Sequence, residues 1–293
     1  MSCVNRKSTG ERIFTVFNYI FLGMLSVIFA YPMVHSVFAS ISDPLQLMSH
    51  SGVIYKPLGF SLEGYKVVLA NPNITTGYVN TITYTVIGTA LSMLMTILGA
   101  YALSRKRFPG KKFFTFAIVF TMYFSGGMIP SFLLVKGIGL YNTRAAMILP
   151  TLLTTWNLIV MKTSFQAVPA SLEESAKVDG ANDFIILFRI ILPVTIPTLA
   201  VMTLFYAVGY WNSWFSALMY IRDRGYYPLQ MFLREILIAN SASGNASLEV
   251  DTYFLEQSIK FTTIIVSTVP ILFIYPFVQR YFMSGLMLGS VKE

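Results

Sequence analysis

The chain of 293 residues is 55% apolar and only 12% charged, with a mean hydropathy of +0.64, whereas soluble globular domains carry about a quarter charged residues. A soluble domain is thereby excluded, and so is a nucleic-acid reader, because the net charge of +8 lies between long apolar stretches and forms no face where basic and aromatic side chains interleave. A single cysteine, Cys3, leaves no intrachain disulfide and no four-cysteine metal site.

A helix needs about 20 apolar residues to cross a hydrocarbon core of about 30 Å. Six stretches free of Asp, Glu, Lys and Arg meet or approach that length: 13–38, 78–104, 113–135, 145–161, 190–221 and 261–279. The predicted fold is an all-α integral membrane protein with six transmembrane helices. Arg6, Lys7 and Arg12 precede the first stretch as in a signal peptide, but 26 residues without a clear small-residue cleavage site read as a retained helix. His35, near the far end of that helix, reads as an interfacial anchor.

Arg105, Lys106, Arg107, Lys111 and Lys112 crowd the connection between the second and third stretches. Basic residues accumulate on the cytoplasmic side of short loops, so this loop, both termini and the segment 162–189 are predicted to be cytoplasmic, collecting 13 of the 21 basic residues. Segments 39–77, 136–144 and 222–260 then face outward. Gly110 and Lys111 supply a Gly-Lys pair, yet Arg105 stands where a phosphate-binding loop requires its first glycine.

In the third stretch, Gly126, Gly127 and Pro130 either loosen the helix near Tyr123 or permit close packing. In the fifth, Tyr210, Trp211, Asn212 and Trp214 offer aromatic planes beside an amide, which suits a ligand with flat apolar faces edged by hydroxyls. With Tyr123 they are the candidate substrate path, Trp211 and Trp214 sharing one helical face; membrane-interface anchoring is the competing reading. Pro32, Pro270 and Pro276 read as kinks.

Apart from His35, read as an anchor, the six cores hold no carboxylate, histidine or lysine for ion coupling, nor the metal cluster, carboxylate pair or activated nucleophile of a membrane enzyme. Energy must come from another subunit if the chain transports actively. A passive channel or secondary carrier for small solutes is the alternative, although the charged filter it needs is missing.

The richest polar stretch runs from Pro169 to Pro193. Ser171 and Glu174 have capping-box spacing, and Gly180 is placed as a left-handed stop about eight residues on. Leu172, Ser175, Ala176 and Asp179 then share one face, with small side chains that admit another surface closely.

This stretch resembles the EAA loop of ABC importer permeases: Glu174-Ser175-Ala176, Gly180, Ile190, Leu192 and Pro193 keep every spacing of that pattern, with serine replacing its first alanine. The resemblance implies a coupling helix seated in a cleft of an ATPase subunit, Glu174 meeting a basic residue there, Gly180 setting the bend, and Leu192 with Pro193 leading into the fifth span. Residues 100–105 and 139–143 are similar to the MalG-like branch of carbohydrate permeases. The tail from Gln279 is similar too, which implies that Gly285, Leu286, Met287 and Gly289 contact the ATPase interface. Residues 123–130 and 226–230 look most like permeases for complex saccharides, such as alginate-type polymers.

By that resemblance the chain divides into a cytoplasmic tail (1–12), a six-helix permease domain (13–284) with its loop at 169–193, and a cytoplasmic tail (285–293). It implies a multi-pass subunit in the cytoplasmic (inner) membrane of a prokaryote, moving an oligo- or polysaccharide by alternating access. The implied partners are a second homologous permease, two ATPase subunits, an extracytoplasmic solute-binding protein and membrane lipid. No cofactor is expected on this chain, ATP and Mg residing on the ATPase, and no metal.

Overall fold

The computed structural model describes residues 8–106, 108–242, 258–273 and 276, and every regular element among them is helical. The chain forms two compact units, one of residues 1–71 with 236–268, the other of 72–235 with 269–293.

In the first unit, α1 (Thr9–Ser40) is 32 residues long, about 48 Å at the α-helical rise. It opens with Glu11 accepting a hydrogen bond from the Ser8 amide at 2.9 Å. Most of its Phe, Ile and Val side chains are exposed, and burial begins only at Ala39 and Ser40, as expected of a helix whose sides meet lipid. Helix α2 (Pro44–Ser49) is capped by the Asp43 carboxylate, which accepts from the amides of Leu45 and Gln46. Helix α3 (Glu63–Ala70) packs where Gly64 leaves no room: a Cβ there would lie 2.6 Å from the Thr262 hydroxyl.

The second unit is organised on α4 (Pro72–Ser104). After it come α5 (Lys111–Tyr123), α6 (Met128–Gly137), two 3₁₀ turns within Arg144–Thr151, α7 (Thr155–Ala167), α8 (Ala170–Val178) and α9 (Asp183–Ile186). A π turn (Leu187–Ile191), α10 (Leu192–Val194), α11 (Ile196–Trp211), α12 (Trp214–Tyr220), a 3₁₀ turn (Arg224–Tyr226) and α13 (Leu229–Ala242) follow. The last apolar helix among the described residues, α14 (Ser258–Phe273), belongs to the first unit as far as residue 268. Where α4 meets α11, Ser92 shares a hydrogen bond with the Tyr210 hydroxyl at 2.9 Å and Thr96 with Tyr206 at 2.7 Å. Such polar ties add to close packing where water offers no hydrophobic drive.

Helices α1 and α4 are each long and apolar enough to cross a membrane. The third, fourth and fifth predicted spans are instead broken, with bends of 116° between α5 and α6, 51° before α7 and 86° before α11. Counting each bent pair as one crossing gives five, and α14 is shorter than those. The breaks have local causes. Gly127 adopts φ +86°, favouring glycine, so the loosening expected at Gly126, Gly127 and Pro130 is realised. Before α7, 3₁₀ turns replace α-helix around Pro150, and Tyr206 accepts the freed Thr154 amide at 3.3 Å. Pro193 and Pro197 each sit in the first turn of a helix, α10 and α11, where a missing donor costs least.

Candidate functional site

The loop after α7 begins with Val168 extended and Pro169 at φ −56°. The proline ring presets that angle, so α8 starts at Ala170 and Ser171 falls inside its first turn. A serine cap needs non-helical backbone, so the Ser171–Glu174 capping box does not form. The other end follows expectation: Gly180 takes φ +81°, its amide donates to the Lys177 carbonyl at 3.1 Å, and that of Ala181 donates to Ala176 at 2.9 Å. This crossed pair closes the helix as a Schellman turn. Asn182 then caps α9 by accepting the Ile185 amide at 2.9 Å.

Ile186, Leu187 and Ile191 anchor the loop in a core with Met161, Phe165 and Met202, while Ile190 and Leu192 pack partly against it and Pro193 stays exposed. Between these anchors the loop presents an exposed face. Leu172 is 43% and Val178 88% exposed, and Glu174, Ser175, Asp179 and Gly180 are open as well. Ala176 departs from the predicted set: it turns inward and packs partly on the chain's own core, being three residues from the inward-facing Glu173 and so on its side of the helix.

Glu173 forms an ion pair with Arg105 and another with Lys177 at 2.7 Å. Burial alone raises its pKa, but the hydrogen bond from Lys177 and the Arg105 charge outweigh burial and hold it below the ordinary carboxylate value. A cleft of about 940 Å³ runs between the end of α4 and this loop, lined among others by Lys106, Lys111, Glu173 and Glu174. Lys111 closes α4 by donating to the carbonyls of Ser104 and Arg105 at 3.2 and 3.3 Å. Sequence reasoning missed Glu173 as a site residue and did not place Arg105 in the docking loop's contacts. The available signal was the Glu173–Lys177 spacing on a short helix.

The proposed substrate-path residues meet three different surroundings. Tyr210 and Trp211 are buried, Tyr210 bonded to Ser92 and the Trp211 indole N–H without a partner among the described residues. Tyr123 is 76% exposed at the end of α5. Asn212 bends back to the Val208 carbonyl at 3.0 Å, and Trp214 lies beneath Arg234, 4.9 Å from guanidinium to ring centre. The expectation that Trp211 and Trp214 share a helical face fails, because the helix breaks at Asn212 and Ser213, burying one and exposing the other. Gly285, Leu286, Met287 and Gly289 lie outside the described residues, as does Arg107. No cluster of His, Cys, Asp or Glu suited to a metal occurs among the described residues.

Residues 92–288, which include the whole of this loop, match the family described as binding-protein-dependent transport system inner membrane component. The chain belongs to this family. It is a transport component, not itself catalytic, and the resemblance carried by Glu174, Ser175, Gly180 and Pro193 holds at the family level. A relative 42% identical over 284 residues, covering 96% of this chain and 99% of its own, is the polygalacturonan/rhamnogalacturonan transport system permease protein YtcP of Bacillus subtilis (strain 168). Another, 26% identical over 92% of this chain and 93% of its own, is the arabinooligosaccharides transport system permease protein AraQ of Halalkalibacterium halodurans. Among solved structures, a chain of a bacterial ABC transporter involved in the import of the acidic polysaccharide alginate superposes with a TM-score of 0.85 at 34% identity, over 94% of this chain and 99% of that one.

Proposed function

We propose that this permease carries an oligo- or polysaccharide bearing carboxylates into a prokaryotic cell, as one of two related permease chains in the cytoplasmic membrane. It crosses six times with both termini inside, each bent pair counting as one crossing and α14 as the sixth. Two ATPase subunits bind ATP and Mg, and their closure displaces α8, opening the path inward by alternating access. A loaded extracytoplasmic binding protein delivers the saccharide.

The observation that carries this reading is the loop 169–193: anchored by Ile186, Leu187 and Ile191, it offers Leu172, Glu174, Ser175 and Asp179 to a partner. A helix presenting a carboxylate among small and apolar side chains suits a groove with a basic residue. The relatives named for polygalacturonan and for alginate favour an acidic cargo. Tyr123, Tyr210, Trp211, Asn212 and Trp214 are proposed along the saccharide's route, and Gly285, Leu286, Met287 and Gly289 at the ATPase interface.

The test is ATP hydrolysis by the purified complex of both permeases and the ATPase, with binding protein and either oligogalacturonate or a neutral maltooligosaccharide. Stimulation by the acidic sugar that disappears in Glu174→Lys supports the reading. Stimulation by the neutral sugar alone removes the acidic assignment, and a complex without any ATPase removes the docking role.

A further inference from the structure

The inward face of α8 holds contacts that docking does not use. Arg105 is fixed on several sides: it stacks over the Tyr101 ring at 4.7 Å, donates from Nε to Ser104 Oγ at 2.9 Å and from Nη2 to the Phe165 carbonyl at 3.4 Å, and pairs through Nη1 with Glu173. The Tyr101 hydroxyl donates to Asp183 Oδ1 at 3.2 Å. Glu173 and Asp183 stand on opposite sides of the Gly180 turn, so each arm of the docking loop is tied back to the last turn of α4.

The first half of α4 is tied just as firmly elsewhere. Asn80 donates to the carbonyls of Gly225 and Tyr227 at 2.8 and 3.0 Å, Tyr84 to that of Tyr226 at 2.8 Å, and Thr81 accepts the Leu229 amide at 2.8 Å. Between these attachments α4 is one uninterrupted helix of 33 residues with proline only at its first position, lacking the proline or π bulge that commonly kinks a helix.

We propose that Arg105 and Glu173 are positioning residues that fasten the docking helix to α4, so that displacement of α8 moves α4 and, with it, the segment 225–229. The proposal rests on the reading of 169–193 as the ATPase-docking loop. The energetics favour the Arg105 link over the local Lys177 pair. An i,i+4 pair with a half-exposed lysine adds little. The Arg105 and Glu173 side chains retain only 17% and 21% exposure, and losing one leaves the other partly desolvated without its partner. Fastening also confines the loop to two ends that must move together, the condition for transmitting a displacement rather than absorbing it.

The test uses the assembled transporter and compares ATP hydrolysis with and without loaded binding protein for Arg105→Glu, Glu173→Arg and the double exchange, with Glu174→Lys as the docking control. Each single exchange is expected to retain the ATPase and its unstimulated turnover but to lose about tenfold in stimulation, and the double exchange to recover most of it. Glu173→Gln keeps the side chain's size and deletes only its charge, so it reports the same fastening by a smaller, roughly threefold loss if charge reversal prevents accumulation. Wild-type stimulation in the single exchanges, a double exchange as impaired as either single, or unchanged stimulation in Glu173→Gln when the exchanges do not accumulate overturns the proposal. If Glu174→Lys is also stimulated normally, the docking reading falls; if Glu174→Lys alone is impaired, only the fastening falls.

Discussion

Tyr210 lies flat against Gly88: a Cβ at position 88 would come within 2.6 Å of the phenol ring. The glycine is what allows α4 and α11 to approach, and the Ser92 and Thr96 hydroxyls complete the contact. Gly88→Ala is therefore expected to lower stability by about 1–3 kcal/mol, the usual cost of overpacking. Thermal unfolding of the purified protein in detergent should show the drop, and Tyr210→Leu should relieve it in the double variant.

At Gly180 space is not the constraint. None of the described residues stands within 4 Å of where a Cβ would go, but φ is +81°. Gly180→Ala should cost about 1–2 kcal/mol of local stability through the left-handed backbone alone, with Gly180→Asn costing less. Hydrogen exchange of the 176–181 amides would reveal the loosened turn, and a wild-type rate in the alanine variant would contradict this account.

The Glu173 contact carries a pH signature. Its folded pKa lies below the unfolded one, so its contribution is complete above the ordinary carboxylate value and is lost as pH falls through the lowered folded value. Protection of α8 from proteolysis should decline across that acidic window in wild type. In Glu173→Gln this decline should be absent, with protection low throughout.

Asn142 combines a left-handed backbone, φ 60°, with a carbonyl that accepts the amides of Arg222 and Asp223 at 2.9 and 2.8 Å. Asn142→Ala should suffer both strain and lost hydrogen bonds, about 2 kcal/mol together. Asn142→Gly should suffer roughly half of that, since it tolerates the backbone angle. Unfolding midpoints that rank glycine below alanine would contradict this division.

The apolar stretches of the sequence mark where helices run because that signal needs only composition. The breaks are less legible. Gly126 and Gly127 announce one, but the interruption at Asn212 and Ser213 itself contains no glycine or proline, and it alone separates Trp211 from Trp214. In the docking loop, Gly180 was readable because one residue type dominates left-handed stops. The start of α8 was not, since Pro169 preempts the cap that Ser171 and Glu174 spell. Adjacent glutamates look alike in sequence; only the helix's rotation, fixed by tertiary anchors such as Ile186, turns Glu173 toward Arg105 and leaves Glu174 exposed.

The interruptions at Phe124–Gly127 and Asn212–Ser213 bear on more than helix direction. Hydrocarbon supplies no hydrogen bonds, so non-helical backbone at membrane depth must meet either protein or water. Ser125 supplies one such bond itself, accepting the Gly127 amide at 3.2 Å, and at the second interruption the amides of Asn212 and Ser213 turn back to the carbonyls of Val208 and Tyr210 at 3.1 and 3.2 Å. Each interruption thus singles out a side of the chain from which acyl tails are barred, and a bilayer would be in contact with the smooth flanks of α1 instead.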